Sequence, residues 1–348
     1  MSSRGKKKKV SGGGSVAETR AAKPRSRAFK ITALSLLCVF GTILLLGVLD
    51  VAVAFGTVYQ WIHPEKVGWT ESPMDVRLAY ETFELDTPNG KVYGWIIPAQ
   101  EPFSDEDEVW DGPEGYSDKT VVFASNYDSN REITDLGGTG LFVDFCRAGY
   151  NVVTFDWTGS GYSEGDSNAF LLDKTEELRA VVSYAQRETG ASFLAVQGVG
   201  FGTYPAAVVT AQTAEVNALI LDSCYGDFES VVFGNYGAWA SFDFAPVRAT
   251  AKLWFSLLTD ADASSAVLSD VISNMSGKHI LFIQGENDEV FGSSHIGSLV
   301  SLAKTQGKNT AEQWVVSGAG HLRVRSFDTE IYFSKISDFL KKAAPSAV

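Results

Sequence analysis

The fold is decided by the stretch Val196-Gln197-Gly198-Val199-Gly200-Phe201-Gly202, which has the spacing of a nucleophile elbow, a sharp turn between a strand and a helix. An apolar run, Phe193 to Val196, leads into the turn, and a run of helical character, Tyr204 to Gln212, follows it. In the G-x-S-x-G form of this turn the middle residue is a serine, and the flanking glycines allow close packing. Here the middle residue is Gly200. Because glycine has no side chain that could attack a carbonyl, the turn keeps its spacing but lacks the attacking atom.

Apolar strands alternate with helical segments along the rest of the chain. The predicted strands are Tyr80–Leu85, Lys91–Ile97, Thr120–Ala124, Tyr150–Phe155, Phe193–Val196, Asn217–Leu221, Lys278–Gln284 and Glu312–Val316. The predicted helices are Gly140–Ala148, Asp173–Arg187, Thr203–Gln212, Ile296–Lys304 and Thr329–Lys341. The turn Pro88-Asn89-Gly90 joins the first two strands as a hairpin. Near-continuous apolar strands between helices predict an α/β protein with a mostly parallel sheet covered on both faces.

One domain is predicted over residues 80–342, with an acidic, solvated loop from Glu101 to Ser117. Residues 225–274 break the alternation and are rich in aromatic side chains: Phe228, Phe233, Tyr236, Trp239, Phe242, Phe244, Trp254 and Phe255. An insertion at this place in the chain could form a small helical cap over the carboxyl ends of the strands. An ordinary helix on the sheet followed by a loop is the alternative.

The N-terminal part of the chain is typical of a membrane signal-anchor. Ile31 to Leu49 holds 19 residues without a charge, and about 20 apolar residues cross about 30 Å of hydrocarbon. Residues 1–30 hold ten Lys/Arg and one Glu, a net charge of +9. Basic residues on this side only predict that the N-terminus is cytoplasmic and that the rest of the chain lies outside the cell membrane.

We therefore predict a disordered basic leader over residues 1–30, one transmembrane helix over 31–55 and a juxtamembrane segment over 56–79. Tyr59 and Trp61 are expected at the outer membrane interface. A cleaved signal peptide is the alternative, because Ala52-Val53-Ala54 fits an A-x-A cleavage site.

Charge and histidine spacing exclude two classes of function. The 318 residues after the leader hold 19 basic and 41 acidic side chains, so this part of the chain should repel nucleic acid. No C-x-x-C or H-x-x-x-H spacing is present, so no metal is predicted. Thr203 stands where the third glycine of a dinucleotide loop would be, and no cofactor is predicted. Cys146 and Cys224 are expected to be buried free thiols, with a disulfide between them as the alternative.

Three further motifs follow predicted strands. They are Asp156-Trp157-Thr158-Gly159-Ser160-Gly161-Tyr162-Ser163-Glu164-Gly165, Gly285-Glu286-Asn287-Asp288 and Gly318-Ala319-Gly320-His321. Together with the elbow they resemble the α/β-hydrolase family over roughly Tyr80 to Leu340. The resemblance is closest to its membrane-associated bacterial branch of serine aminopeptidase-like and acyl-esterase-like proteins.

The resemblance implies the α/β-hydrolase fold and a set of ancestral catalytic positions. Gly200 stands at the nucleophile position, Asp288 at the position of the triad acid and His321 at that of the base, in the chain order expected for this fold. An acid of this kind orients the imidazole and stabilises its protonated form. Thr158 stands where the family loop D-x-R-G-x-G-x-S-x-G usually carries an arginine.

The loop that would help to form the oxyanion hole also departs from the family pattern. The segment from Ser125 to Arg131 resembles H-G-x-x-x-N-R, with Ser125 and Asn126 in place of the His-Gly pair. By resemblance, Tyr127 and Phe201 would supply the two oxyanion-hole N–H groups. Losing one such donor costs about 10²–10³ in turnover, and losing a triad nucleophile costs on the order of 10⁶.

The sequence thus predicts a membrane-anchored, extracytoplasmic α/β-hydrolase-like protein that binds a ligand or partner without catalysis. Candidate ligands are acyl or apolar small molecules, and an envelope protein is the candidate partner. The alternative is an active esterase or peptidase that uses another nucleophile. Cys224 is the weak candidate for that role, because a thiolate paired with His321 could attack a carbonyl. Alternatively, His321 and Asp288 could activate water.

Overall fold

A computed structural model describes residues 27–104, 115–235, 237, 239–240, 243–259, 261–306 and 308–344. Its strands are β1 (Glu81–Thr87), β2 (Gly90–Ile97), β3 (Lys119–Ala124), β4 (Asn151–Phe155), β5 (Phe193–Val199), β6 (Val216–Asp222), β7 (His279–Gly285) and β8 (Thr310–Val316). Its α-helices are α1 (Arg27–Ile62), α2 (Thr139–Arg147), α3 (Thr175–Thr189), α4 (Thr203–Gln212), α5 (Ala245–Leu258), α6 (Leu268–Asn274), α7 (Ile296–Gln306), α8 (Val324–Phe327) and α9 (Thr329–Ala343).

The strands form one mostly parallel sheet in the order β1-β2-β4-β3-β5-β6-β7-β8. The predicted β1–β2 hairpin is antiparallel, β2 also pairs antiparallel with β4, and every later pairing is parallel. Strands β4 and β5 are buried along their whole length, as expected where helices cover both faces of a parallel sheet. The predicted fold class is therefore confirmed.

The sheet separates two apolar cores because successive side chains on a strand point to opposite faces. Val122, Val196 and Leu219 belong to one core, to which α3, α4 and α7 contribute. Their neighbours on the same strands belong to the other core, to which α2 and α9 contribute. Strand β5 runs to Val199, three residues beyond its predicted end. Its polar residue Gln197 continues the ladder because it pairs with both β3 and β6 and donates from its side-chain amide to the Tyr332 hydroxyl.

Contacts divide the chain into two compact units, one ending at Leu49 and one beginning at Asp50. In the first unit, the apolar side chains of α1 are exposed, and α1 is long and apolar enough to cross a membrane. Residues 1–26 of the predicted leader lie outside the described residues, as do residues 105–114 of the predicted acidic loop.

In the second unit, the end of α1 is part of the packed domain. Ala54, Val58 and Ile62 are buried there. The prediction that Trp61 lies at the membrane interface is wrong, because its side chain is buried and its indole N–H donates to the Trp239 carbonyl, 2.9 Å away. The residues expected to be juxtamembrane therefore begin with a helical segment that belongs to the domain.

The aromatic section at 225–274 combines two kinds of structure. Helix α6 contacts α4 and α7, as an ordinary helix on the sheet does. The part before α6 contains a π-helical turn at Ser230–Gly234 and helix α5, and its aromatic rings pack against Trp61 and Phe201. Tyr236 and Phe242, two of the aromatic residues noted in the sequence, lie outside the described residues.

Candidate active site

The turn at Gly198–Gly202 has the geometry of an elbow between β5 and α4. Gly200 adopts φ +56°, in the left-handed region that favours glycine. A single 3₁₀ turn, Gly200–Gly202, then leads into α4. At Gly202 an added β-carbon would lie 2.3 Å from the Ala124 carbonyl oxygen, so only glycine lets the end of β3 approach this closely.

The side chain of Asn126 occupies the space above the elbow. A β-carbon added at Gly200 would lie 2.4 Å from Asn126 Oδ1 and 2.7 Å from its Cγ. The same Oδ1 accepts a hydrogen bond from the Phe201 backbone N–H at 2.9 Å, and Asn126 Nδ2 donates to Asp128 Oδ1 at 2.8 Å. In this structure Asn126 therefore takes the Phe201 N–H, which is one of the two predicted oxyanion-hole donors.

Tyr127, the other predicted donor, lies next to Asn126 on the loop after β3. Its carbonyl accepts from Asn168 Nδ2 at 2.6 Å, and its ring packs against those of Phe170 and Phe201. Burial raises the pKa of its phenol, so the hydroxyl stays protonated. The side chain thus belongs to the apolar packing around the elbow.

Asp288 and His321 lie within hydrogen-bond distance of each other. His321 Nδ1 is 2.9 Å from Asp288 Oδ2, and the carboxylate is buried. Asp288 also accepts from the backbone N–H groups of Val290 and Phe291 and from Gln284 Nε2. The Phe291 ring contacts both His321 and Phe201, with centroid distances of 4.5 and 5.0 Å. A carboxylate on Nδ1 leaves Nε2 as the nitrogen that could take up a proton.

A second buried carboxylate, Asp222, lies at the end of β6. It accepts from the Tyr332 hydroxyl at 2.6 Å and from the Ser223 hydroxyl at 3.1 Å. Ser223 Oγ in turn accepts from the backbone N–H of Leu322, the residue after the histidine. Burial raises the pKa of Asp222 to about 6, although the two hydroxyl donors and His321 oppose the shift. No motif in the sequence marked Asp222 as a candidate site residue, although it directly follows the apolar residues of a predicted strand.

Comparison with solved structures finds this architecture in known hydrolases. An esterase from Pyrococcus furiosus is 20% identical with a TM-score of 0.63, over 82% of this chain and 98% of its own. A puromycin-hydrolyzing peptidase from Mycobacterium tuberculosis is 20% identical with a TM-score of 0.55, over 78% of this chain and 40% of its own. No protein-family model and no curated protein matches the sequence. The chain has the α/β-hydrolase fold. At these identities the likeness shows the fold alone.

Within the α/β-hydrolase fold, the loop after β4 is held by buried polar contacts with Arg131 and Glu177. Arg131 forms an ion pair with Asp156, with Nη2 2.6 Å from Oδ2, and its backbone N–H donates to Oδ1 of the same carboxylate. Thr158 donates through both its backbone N–H and its hydroxyl to Glu177 on α3, and the hydroxyl accepts from Lys174 Nζ at 2.8 Å. At the position where the family loop usually carries an arginine, this chain thus combines a threonine with a nearby lysine.

The structure does not favour Cys224 as a substitute nucleophile. Its side chain is completely buried, and burial raises the pKa of the thiol far above neutrality. Because the thiolate is the reactive form, a buried thiol of this kind is inert. Cys146 is also a buried free thiol, as predicted.

Aromatic rings fill the space around the elbow. The Phe201 ring has centroid distances of 4.8–6.0 Å to six other rings. These rings belong to Tyr127, Phe170, Tyr225, Phe228, Trp239 and Phe291. A cleft of about 560 Å³ lies elsewhere, between Trp69, Tyr162 and the β1–β2 hairpin. Neither this cleft nor three others of about 330–500 Å³ are lined by Gly200, Asp288 or His321.

Proposed function

We propose that this chain is a membrane-anchored, extracytoplasmic member of the α/β-hydrolase fold that has lost turnover and acts by binding a protein partner. The observation that carries the proposal is the position of the Asn126 side chain, above Gly200 and on the Phe201 N–H. A serine hydrolase needs an attacking oxygen and a free oxyanion donor at these two places. Here Gly200 supplies no attacking oxygen, and the Asn126 side-chain amide accepts the hydrogen bond of the Phe201 N–H.

The hydrogen-bonded pair Asp288 and His321 does not by itself support catalysis. Without a nucleophile the imidazole could act only on water or on a substrate proton, and either would need a substrate near its ring. Phe291 packs against both His321 and Phe201 and occupies part of that region. Asp288 also has a structural role, because its carboxylate binds two backbone N–H groups of the turn that follows it. Such a role explains the pair without a reaction.

A protein partner is better supported than a small acyl ligand. The described residues around the elbow are close-packed, whereas small-molecule sites are usually preformed cavities. The residues after the leader carry a net charge of −22, with 19 basic and 41 acidic side chains. Charge complementarity therefore points to an envelope protein with a basic surface. Residues 1–30 would form the cytoplasmic leader and α1 the anchor, with the domain outside.

The loss of turnover is tested by covalent labelling with a fluorophosphonate, an electrophile that traps activated serine or cysteine side chains. The full-length protein in detergent micelles is incubated with the probe, and its intact mass is measured. We expect no adduct at neutral or mildly alkaline pH. An adduct that disappears in His321→Ala would contradict the proposal, and Cys224→Ser would then show whether the thiol carries it.

Partner binding is tested by capture from solubilised envelope at two salt concentrations. Exposed charges interact weakly beyond a Debye length of about 8 Å at physiological salt, so we expect a specific partner to be lost at high salt. A variant with several exposed acidic residues of the domain changed to lysine should fail to capture it. Equal capture by this variant would contradict an electrostatic interface.

A further inference from the structure

The cleft beside the β1–β2 hairpin has the dimensions of a small-molecule site. We call this cleft, between Trp69, Tyr162 and the hairpin, the hairpin cleft. Its volume of about 560 Å³ lies within the range of about 300–1,000 Å³ that ligand pockets occupy. Neither Gly200 nor His321 lines it, so a ligand bound here would be independent of the elbow.

Aromatic rings form two walls of the hairpin cleft. The rings of Trp69 and Tyr162 pack edge to face with centroids 5.9 Å apart, and Tyr93 on β2 lines the same space. The Trp69 ring also packs against Trp95, with a centroid distance of 5.4 Å. Tyr162 is 59% exposed. The cleft thus presents rigid aromatic surfaces, which lose little conformational entropy when a ligand binds.

A buried arginine with an unused donor group also lines the hairpin cleft. The Arg131 side chain is only 5% exposed. Its Nε and Nη2 donate to Asp156 Oδ2 at 3.0 and 2.6 Å, and this ion pair holds the loop after β4. Among the described residues, Nη1 has no hydrogen-bond partner. Its two N–H groups can therefore donate to a molecule in the cleft.

The other polar groups of the hairpin cleft are mostly hydroxyls. Within the described part of the chain, the hydroxyls of Thr82, Tyr93 and Tyr162 have no hydrogen-bond partner, and all three residues line the cleft. The Glu84 carboxylate adds an acceptor. Because a hydroxyl both donates and accepts, these groups complement a ligand whose own polar groups are hydroxyls.

The charges at the hairpin cleft are paired. Arg131 Nη2 lies 2.6 Å from Asp156 Oδ2, and Lys91 Nζ lies 3.2 Å from Glu84 Oε1. A charged ligand would therefore find no unpaired opposite charge among the described residues that line the cleft. An organic cation, which aromatic rings often bind, would in addition meet the Arg131 guanidinium. The pairing favours a neutral ligand.

We infer that the hairpin cleft binds a neutral saccharide. One pyranose ring packs its C–H face against the aromatic wall formed by Trp69 and Tyr162, and its hydroxyls bond to Arg131 Nη1, the Tyr93 hydroxyl and Glu84. A pyranose combines an apolar face of C–H groups with a rim of hydroxyls, and the cleft matches both. This inference goes beyond the proposed function and does not depend on it.

Saturation-transfer difference NMR tests this inference, because it detects weak ligands of a large particle. The full-length chain is placed in micelles of a polyoxyethylene ether, which has no sugar headgroup. The probes are the methyl glycosides of glucose, galactose, mannose and N-acetylglucosamine. Each is present at about 10 mM, above the roughly 1 mM Kd expected of so small a ligand. Choline and acetate are the charged comparison probes.

We expect saturation transfer to at least one glycoside, strongest at the C–H groups of one face, and none to choline or acetate. Tyr162→Ala should weaken glycoside binding by about tenfold, because it removes one aromatic wall. Phe327→Ala is the matched control, because Phe327 is 60% exposed and does not line the cleft. No transfer to any glycoside would overturn the inference. So would transfer to choline or acetate alone, which would show that the cleft recognises charge.

A second variant keeps the test decisive if Tyr162→Ala unfolds the domain. Tyr93→Phe keeps the ring and removes only the hydroxyl, so the melting temperature should not change. Glycoside binding should weaken by about two- to tenfold, which corresponds to the loss of one neutral hydrogen bond. An affinity that Tyr93→Phe and a folded Tyr162→Ala both leave unchanged would place the sugar elsewhere and overturn the inference.

Discussion

At the scale of single residues, the candidate site contains two residues, Gly200 and Asn126, that complement each other. Gly200 leaves a space at the tip of the elbow, and the amide of Asn126 fills that space and binds the Phe201 N–H. A serine at position 200 would meet this amide at less than the normal contact distance. In the proposed function, the missing nucleophile and the occupied oxyanion donor are therefore parts of one arrangement, and Gly200→Ser alone should not create a catalytic site.

The pairing of Gly200 with Asn126 predicts energetic coupling. Gly200→Ser should destabilise the domain by about 1–3 kcal/mol through overpacking. Asn126→Ala should relieve part of that cost, so the double variant should be more stable than the sum of the single changes by about 0.5–3 kcal/mol. Thermal unfolding of the full-length chain in micelles measures both effects. Asn130→Ala is the matched control, because Asn130 lies on the same loop but donates to the Val67 carbonyl. Its effect on the free energy of unfolding should add to that of Gly200→Ser without coupling.

The buried Asp222 predicts a pH dependence of stability. Its folded-state pKa of about 6 exceeds the ordinary aspartate value of 3.8, so the folded state holds more protons than the unfolded state between these two pH values. Stability therefore falls as pH rises through this window. In Asp222→Asn, the decline of the unfolding free energy should be less steep by up to about 1.4 kcal/mol per pH unit. Urea unfolding at several pH values measures this slope, and an unchanged slope would show that Asp222 does not titrate there.

The sequence allowed Gly200 to be placed at the tip of the elbow, but it did not indicate the contact with Asn126. Gly200 can be identified because the elbow spacing is local. The contact between Asn126 and Phe201 joins residues 75 positions apart, and nothing in the local pattern of either segment indicates it. Asp288 and His321 could be placed close together because both follow parallel strands, whose carboxyl ends share one edge of the sheet.

At the scale of secondary-structure elements, strands and helices followed closely from hydrophobic pattern, because buried strands of a parallel sheet are apolar throughout. The packing of the end of α1 could not be predicted from this pattern. Its packing depends on Trp61 reaching Trp239, 178 residues away, and an apolar helix end reads the same in sequence whether it lies in a membrane or in a domain. The contacts of the loop after β4 could not be predicted from its motif either, because Lys174, which donates to Thr158, lies outside that motif.

The loop after β4 predicts a strong effect of Lys174. This lysine is buried beside the buried Glu177, whose pKa burial raises and the lysine charge lowers. Lys174→Met should leave the carboxylate without its nearby positive charge and destabilise the domain by on the order of 3 kcal/mol. Thr158→Arg in the same background should restore part of the loss.

The control for Lys174 is the exposed pair Lys91–Glu84, with 3.2 Å between Nζ and Oε1. Lys91→Met should cost about 0–1 kcal/mol, as exposed ion pairs do. Equal losses in the two methionine variants, measured by thermal unfolding, would contradict the role given to Lys174.

At the scale of the whole molecule, the helix that is proposed to anchor the chain also completes the domain core. The residues of α1 from Ala54 to Ile62 include four buried side chains. Trp61→Ala should therefore destabilise the domain by about 3–5 kcal/mol. Tyr59→Ala is the matched control two residues away, and because Tyr59 is exposed it should change stability by about 0.5 kcal/mol or less. Similar melting temperatures for the two variants would show that the helix end does not belong to the domain.

The proposed loss of catalysis is tested most directly by measuring the hydrolysis of a short acyl ester by the intact protein. We predict that the unmodified chain and His321→Ala hydrolyse the ester at the same background rate, because position 200 offers no nucleophile and the Phe201 N–H is bonded to Asn126. Gly200→Ser combined with Asn126→Ala supplies both groups and is the comparison for a rebuilt site. Turnover by the unmodified chain that exceeds that of His321→Ala would contradict the account.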